Sequence, residues 1–201
     1  MHFFRRLLAV ACAIMLLGPA LFSAGAEGGM YIGSRPVAAV YVTQTRKHTC
    51  TLVAATMMLR NYASLRGAPC GVVDAAALSR FCWTKRWGLA QHFIVGQVEV
   101  SSNADIRKAP DKKQYLIEQL KLHPEGIVIY DTGAPHAIYL FGYDPETSIF
   151  YCADTVNSRG GRPIRLEQSI IRGETQEDKV NTIDKIWFVV DKSAAQEALE
   201  V

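Results

Sequence analysis

The chain has 201 residues, of which 22 are Lys or Arg and 19 are Asp or Glu. This near balance of charge argues against nucleic acid as the main partner, because phosphate binding needs a concentrated basic surface. The length suits one domain with its own core. Since the sequence contains no internal repeat and no low-complexity linker, a single folded domain is predicted.

Residues 1–26 have the pattern of a secretory signal peptide. Arg5 and Arg6 precede an apolar run from Leu7 to Leu17, and small residues end the segment. This run is short for a membrane span, which needs about 20 residues, although an uncleaved anchor is the alternative. We expect cleavage after residue 26, which leaves 175 of the 201 residues with a net charge of +1. The exported domain, 27–201, is expected to be soluble and monomeric, with no membrane contact.

The elements predicted in the first half of the chain are mainly helical. Residues 35–44 are rich in Val and Tyr, which indicates a short strand or an extended entry segment. Cys50 to Leu65 contains strong helix formers without Gly or Pro, and its apolar residues lie nearly all round. We therefore expect a helix at the centre of the fold, with Thr49 as its N-cap. A second helix is predicted at 71–83 and a strand at 93–100, followed by a polar loop.

The second half changes from helical to strand periodicity. Residues 111–122 follow a helical apolar pattern, which His-Pro-Glu-Gly ends. The later elements are apolar strands at 126–133, 136–144 and 148–155, a short helix at 166–171 and a last strand at 184–191. A turn of sequence DPETS joins the second and third strands. The order, helices first and then an antiparallel sheet, predicts an α+β domain.

Four cysteines follow the signal segment: Cys50, Cys70, Cys82 and Cys152. Two disulfides are one interpretation, although a domain of this length does not need them to fold. Cys70 and Cys82 flank the second predicted helix. They would lie about 15 Å apart, whereas a disulfide needs Cα atoms within roughly 7 Å. Cys152 is predicted to be a buried apolar residue of a strand.

Cys50 is the best candidate nucleophile because it lies in the first turn of a predicted helix. The free N–H groups and the helix dipole there lower a thiol pKa. Such a thiolate also needs a base. His136 follows a turn and begins a strand, which places it at the rim of the sheet. His48, His92 and His123 are expected in loop, surface or capping roles.

Asp154 is the expected partner of His136. If residues 136–156 form a hairpin centred near Glu146, residue 154 lies opposite residue 138, on the same face as His136. The carboxylate would then orient the imidazole and stabilise its charge. This depends on register, since a slip by one residue reverses the faces. Asp131 and Asp144 are the alternatives, with Asp144 expected to form the turn.

Gln44, six residues before Cys50, is a candidate oxyanion donor. Acyl transfer through a thiolate develops an oxyanion that fixed donors must meet, and a side-chain amide with the Cys50 backbone N–H would supply two. Neither a metal nor a cofactor is predicted, because Cys70, Cys82 and His92 form no compact metal-ligand pair. Trp83 and Trp87 are expected either in a substrate groove or in packing.

The motif Gln-x5-Cys at the start of a long helix, followed by HAIYLFGYD and FYCADT, resembles the bacteriocin-processing (double-glycine leader) cysteine peptidases. It is also similar to their stand-alone papain-like relatives. The resemblance covers roughly residues 40–156 and implies a papain-like fold with a peptide or protein substrate. It implies Cys50 as nucleophile, His136 as general base, Asp154 as orienting acid and Gln44 in the oxyanion hole.

The chain departs from this family beside the nucleophile. Thr51 stands where the family usually has glycine, and Thr49 where it often has an acid. A side chain at position 51 is expected to crowd the substrate or the oxyanion hole. Because the chain carries an export signal, the leader peptides cut inside cells by transporter-fused members are not expected as substrates. Two alternatives remain: an amidase or acyltransferase with the same triad, and a non-catalytic secreted peptide-binding module.

Overall fold

The computed structural model describes residues 30–68, 73–85, 88–156 and 161–190. The proposed signal segment, Cys70 and Trp87 lie outside these residues. The described helices are α1 (Cys50–Leu65), α2 (Ala75–Cys82), α3 (Lys112–Leu122) and α4 (Gln176–Thr182). The described strands are β1 (Ile32–Gly33), β2 (His92–Val95), β3 (Val98–Asn103), β4 (Ile127–Asp131), β5 (His136–Asp144), β6 (Ile149–Asp154), β7 (Ile164–Arg165) and β8 (Lys185–Val190). Within the described ranges, no helix has the length and apolar character needed to cross a membrane.

All eight strands belong to one antiparallel sheet. The order is β2-β3-β8-β4-β5-β6-β7, and β1 pairs with the end of β5 farthest from His136. The α+β class predicted from the sequence is confirmed. The predicted order is only partly correct, because β2 and β3 precede α3 and because α4 lies between β7 and β8.

Helices cover both faces of the sheet, and β5 alternates between the two cores. Tyr139 and Phe141 pack in the core that contains α1 and α2. Ile138 and Leu140 pack in the opposite core, which contains α3 and Val180 of α4. A strand that is buried on both faces is apolar throughout, which explains the unbroken hydrophobic run of β5.

Helix α1 is the buried central helix that its composition predicts. Met57 and Met58 are completely buried, as expected for a helix with apolar residues all round. The prediction that the Thr49 side chain caps this helix is wrong. Thr49 occupies the N-cap position, but its hydroxyl donates to the carbonyl of Arg46 at 2.8 Å instead of capping the helix. No side chain therefore caps the first turn of α1.

Two predicted elements differ in extent. The single strand expected at 93–100 is wrong, since β2 and β3 form a hairpin whose turn includes Gly96 at φ +61°. The left-handed conformation at Gly96 reverses the chain, and β3 then runs on into the predicted polar loop. Helix α2 begins later than expected, because the Asp74 side chain accepts from the Ala76 N–H and caps the helix there.

The remaining differences concern short elements. Residues 35–44 contain a 3-10 helix at Ala38–Val40 instead of a strand. The helix expected at 166–171 is a 3-10 turn, Leu166–Gln168. Helix α4 was not predicted, although Thr175 and Asp178 form a capping box that is visible in the sequence. The last strand, β8, is confirmed, and it lies inside the sheet between β3 and β4.

Candidate active site

The register of the β5–β6 hairpin brings an acid to the rim of the sheet. Ile138 pairs with Asp154, as the hairpin prediction required. An irregularity between Leu140 and Gly142 shifts the pairing nearer the turn by one residue, without changing it at the open end. Asp154 therefore ends β6 close to His136, the first residue of β5.

Asp154 is completely buried and is held by three donors. Its Oδ1 lies 2.9 Å from His136 Nε2, and its Oδ2 accepts from the Ile170 N–H at 2.8 Å. The N–H of Val156 contacts Oδ1 at 3.3 Å. Burial acts to raise the pKa of Asp154, but the hydrogen bond and charge of His136 and the two backbone N–H groups lower it below its usual value. The carboxylate is therefore ionised at neutral pH.

Cys50, at the start of α1, meets the other side of the imidazole. The His136 ring and the backbone N–H groups of Ala137 and Thr51 lie close enough to the sulfur to lower the pKa of Cys50 by hydrogen bonding. Because Nε2 faces Asp154, the nitrogen that faces Cys50 is Nδ1. The structure thus brings together three of the four predicted site residues, Cys50, His136 and Asp154.

Electrostatics in this cluster favour a thiolate–imidazolium pair. Burial acts to raise the pKa of Cys50, but the hydrogen bond and charge of His136 and the two N–H groups lower it below its usual value. Burial acts to lower the pKa of His136, but its hydrogen bonds to Asp154 and Cys50 and their charges raise it to about 9. Such opposite shifts produce an activated nucleophile.

The other described cysteines behave differently. Cys50, Cys82 and Cys152 are all free thiols. Burial raises the pKa of Cys82 to about 12 and raises that of Cys152 well above its usual value. Cys152 is the completely buried strand residue that the sequence predicts. Cys50 therefore differs from both of them in its environment.

Gln44 lies near the site, but its amide is bonded elsewhere. Its Nε2 donates to the carbonyl of Arg46 at 2.6 Å, and its Oε1 accepts from the Thr155 hydroxyl at 3.2 Å. The Gln44 backbone N–H also donates to the Thr155 carbonyl at 2.6 Å. These contacts tie the segment before α1 to the end of β6. One of the two Nε2 hydrogens is left after the bond to Arg46.

Thr51 does not project toward the solvent, but it lines the cavity beside Cys50, so the expected crowding of the substrate stays a prediction. Its side chain is 2% exposed, and it lies against Gly88. A Cβ at position 88 would come within 2.6 Å of Thr51 Oγ1, and Gly88 has φ +67°. Gly88 thus provides the space that Thr51 needs, a role that sequence analysis missed.

The alternative acids have structural roles. Asp131 pairs with His136 across β4 and β5, but its Oδ1 accepts from the Gly133 N–H at 2.8 Å and from Arg172 at 3.2 Å. Asp144 accepts from the Glu146 N–H at 3.0 Å and forms the turn, as predicted. Among the described residues, neither carboxylate forms a hydrogen bond or ion pair with the imidazole of His136.

The alternative bases also lie outside the cluster. His92 lies 3.6 Å from Glu99, and His123 lies 3.7 Å from Glu125. His48 is exposed, has φ +62° and lines the cavity beside Cys50. Among the described residues, His136 is the histidine that interacts with the Cys50 thiol.

Two cavities are lined by residues at or near the start of α1. A cavity of about 210 Å³ is lined by Cys50, Thr51, His48, Lys85 and Tyr130, among others. A larger cavity of about 560 Å³ lies between residues 42–49, α1 and α2. Trp83 lines both cavities and is 52% exposed.

Comparisons with known proteins do not identify a relative: no family model, curated protein or solved structure matches the chain. Among the described residues, no group of three or more His, Cys, Asp or Glu side chains could hold a metal ion. The family resemblance therefore depends on the site residues described above.

The shifted pKa values predict selective, pH-dependent chemistry at Cys50. Iodoacetamide should modify Cys50 at pH 6, where an ordinary thiol is almost fully protonated, and should leave Cys82 and Cys152 unmodified. Any turnover should be lost as pH falls through the lowered pKa of Cys50 and as it rises through about 9, the pKa of His136. Mass spectrometry of the alkylated protein between pH 5 and 9 measures the first effect. Equal labelling of the three thiols would contradict it.

The contact between Gly88 and Thr51 predicts an unusually large cost for Gly88→Ala. Gly67→Ala is the matched control, because Gly67 has φ +72° with nothing within 4 Å of an added Cβ. We expect the control to lower the free energy of unfolding by about 1–2 kcal/mol through backbone strain alone, and Gly88→Ala to lower it further. Adding Thr51→Ala should remove the excess in a double-mutant cycle measured by denaturant unfolding. Equal costs at positions 67 and 88 would contradict the contact.

Proposed function

We propose that the chain is a papain-like cysteine peptidase, related to the stand-alone relatives of the bacteriocin-processing peptidases. The observation that carries the proposal is the hydrogen-bonded series Cys50–His136–Asp154 at the rim of the sheet. Its members occur in the chain order that the resemblance implies. Structural cysteines do not need a lowered pKa, whereas a nucleophile does, and Cys82 and Cys152 provide the contrast within the same fold.

The reaction follows from the protonation states. The Cys50 thiolate attacks the carbonyl carbon of a peptide bond and forms a tetrahedral oxyanion. As the C–N bond breaks, protonated His136 transfers its proton to the leaving amine, and an acyl thioester remains on Cys50. Water then attacks the thioester while His136 accepts a proton, which releases the carboxylic acid and restores the thiolate–imidazolium pair.

Asp154 acts on the imidazole and not on the substrate. Its hydrogen bond to Nε2 keeps Nδ1 directed at Cys50 and stabilises the imidazolium. Complete burial of Asp154 strengthens this interaction, since water does not compete for the carboxylate.

The start of α1 supports an oxyanion site. The first turn has no side-chain cap from Thr49, and the positive end of the helix dipole faces the thiol. The Cys50 N–H is the first proposed donor. The remaining Nε2 hydrogen of Gln44 is the second, with the segment positioned by its contacts to Thr155.

A peptide is the substrate class that the surroundings favour. Cys50 lines the smaller cavity, which shares Trp83 with the larger one, so an extended chain has room beyond the attacked bond. The larger cavity has apolar walls from Leu52, Val53 and Ala75, which suit side chains of a peptide. The pattern of residues 1–26 supports action on exported or extracellular peptides after removal of that segment.

Cys50→Ala and His136→Ala test the proposal. Each should reduce the cleavage of a proteome-derived peptide library by at least about 10³-fold, because the nucleophile or its base is lost. Mass spectrometry of new peptide ends measures cleavage, and His92→Ala is the matched histidine control. The thermal transition should survive in all three variants.

The outcomes separate the alternatives. Cleavage by Cys50→Ala at the wild-type rate would overturn the proposal. A reactive Cys50 at pH 6 without any new peptide ends would favour the amidase or acyltransferase interpretation. An unreactive Cys50 would favour the peptide-binding module.

Gln44→Ala tests the oxyanion site. Loss of a donor that acts only in the transition state should lower kcat by about 10²–10³-fold and leave alkylation of Cys50 at pH 6 unchanged. Thr155→Val is the control, since it removes the hydroxyl that contacts Gln44 Oε1 but keeps the amide. Kinetics on a peptide cleaved in the library experiment provide the measurement. An unchanged kcat would show that Gln44 only holds the segment in place.

A further inference from the structure

Residues 169–173, which we term the clamp loop, join the 3-10 turn at Leu166–Gln168 to the segment that enters α4. The clamp loop contacts both acids beside His136. Its Ile170 N–H donates to Asp154 Oδ2 at 2.8 Å, and its Arg172 Nη2 lies 3.2 Å from Asp131 Oδ1. One loop therefore contacts the orienting carboxylate and the carboxylate that shapes the approach to His136.

Arg172 lies over the turn that leads into β5. A Cβ on Gly133 would come within 2.5 Å of the Arg172 guanidinium, so the two groups are in close contact. Asp131 also holds this turn, because its Oδ1 accepts from the N–H groups of Gly133 and Ala134. Since His136 follows this turn directly, movement of Arg172 would alter the placement of the imidazole.

Lys179, on α4, holds the clamp loop. Its ammonium donates to the carbonyls of Ser169 at 3.0 Å, Ile171 at 2.7 Å and Gly173 at 2.8 Å, and the residue is only 4% exposed. Burial of an ammonium is unfavourable unless polar groups surround it. Three main-chain carbonyls from one loop satisfy that need, so the position of the charge and the shape of the loop depend on each other.

We propose that Lys179 is a positioning residue for the site: it fixes the clamp loop so that the Ile170 N–H and Arg172 hold Asp154 and the turn before His136. This inference rests on the proposed function, and it adds a residue on the last helix to the machinery. Lys179 acts on the site through the clamp loop, whose three carbonyls accept from its ammonium.

Charged and titratable groups face this path from several elements. Asp178, next to Lys179 on α4, also interacts with its charge. His136 and Cys50 face Asp154 from β5 and α1, while Asp131 and Arg172 face each other across the turn. Cys152, on β6, is the described thiol that senses the charge of Lys179. Loss of that charge reaches the catalytic pair through Asp154, because Oδ2 loses a fixed N–H donor when the loop moves.

Lys179→Met tests the inference, because methionine keeps an unbranched apolar stem without the ammonium. Lys112→Met is the matched control: Lys112 Nζ also donates to two main-chain carbonyls, those of Asn181 and Ile183, but these lie at the end of α4 and outside the clamp loop. We expect both variants to lower Tm. Only Lys179→Met should slow iodoacetamide labelling of Cys50 at pH 6, by about threefold to tenfold, since a weaker thiolate–imidazolium pair leaves less thiolate. Lys179→Arg should restore part of the rate.

A second pair of variants tests the inference if Lys179→Met does not fold. Ile170→Pro removes the N–H that donates to Asp154, and Ser169 already has the extended conformation, ψ 167°, that a following proline favours. Ile170→Ala removes the side chain, which is 46% exposed, but keeps the N–H. The difference in Cys50 labelling rate between the two isolates the N–H, and slower labelling in Ile170→Pro is expected.

Labelling of the wild-type protein distinguishes a failure of the proposed function from a failure of the role inferred for Lys179. If wild-type Cys50 is not labelled at pH 6, the proposed function itself fails. If it is labelled, but Lys179→Met matches Lys112→Met and Ile170→Pro matches Ile170→Ala, the positioning role of Lys179 is overturned. A slower rate in Lys179→Met together with Ile170→Pro supports it.

Discussion

The site depends on the pairing of Ile138 with Asp154 between β5 and β6. A slip by one residue would turn Asp154 to the other face of the sheet and leave His136 without an acid. The slip is opposed by packing on both faces, since Ile138 and Tyr139 enter opposite cores and an exchange would place each in a space shaped for the other. The apolar strand thus fixes the geometry of the polar residues at its end.

Two carboxylates are completely buried at this rim, and their partners determine what each can do. Asp154 faces an imidazole that can gain or lose a proton, so its charge can support a titrating pair. Asp131 faces a guanidinium, which keeps its charge, and two backbone N–H groups. The first arrangement is suited to proton transfer and the second to holding a turn, although both acids lie beside the same histidine.

Much of the site was predictable because its determinants are local. The helix of Cys50 is visible as a run of helix formers, and the hairpin register follows from two apolar strands and a DPETS turn. The hairpin at Gly96 and the short α4 were missed, since a single glycine and a seven-residue helix give weak periodic signals. The contact of Asp154 with the Ile170 N–H could not be predicted, because the position of a backbone donor is not indicated by the types of side chain in the sequence.

Thr51 stands where the family that the chain resembles usually has glycine. A glycine after the nucleophile keeps side-chain volume away from the reacting carbonyl. Here the chain has a threonine, but the glycine is supplied from position 88, where a left-handed conformation and the missing Cβ let Thr51 turn inward. The side chain at position 51 is therefore accommodated by a contact between residues 37 positions apart. A sequence motif that compares only neighbouring positions cannot detect such a contact, because the glycine that makes it possible lies in a distant part of the chain.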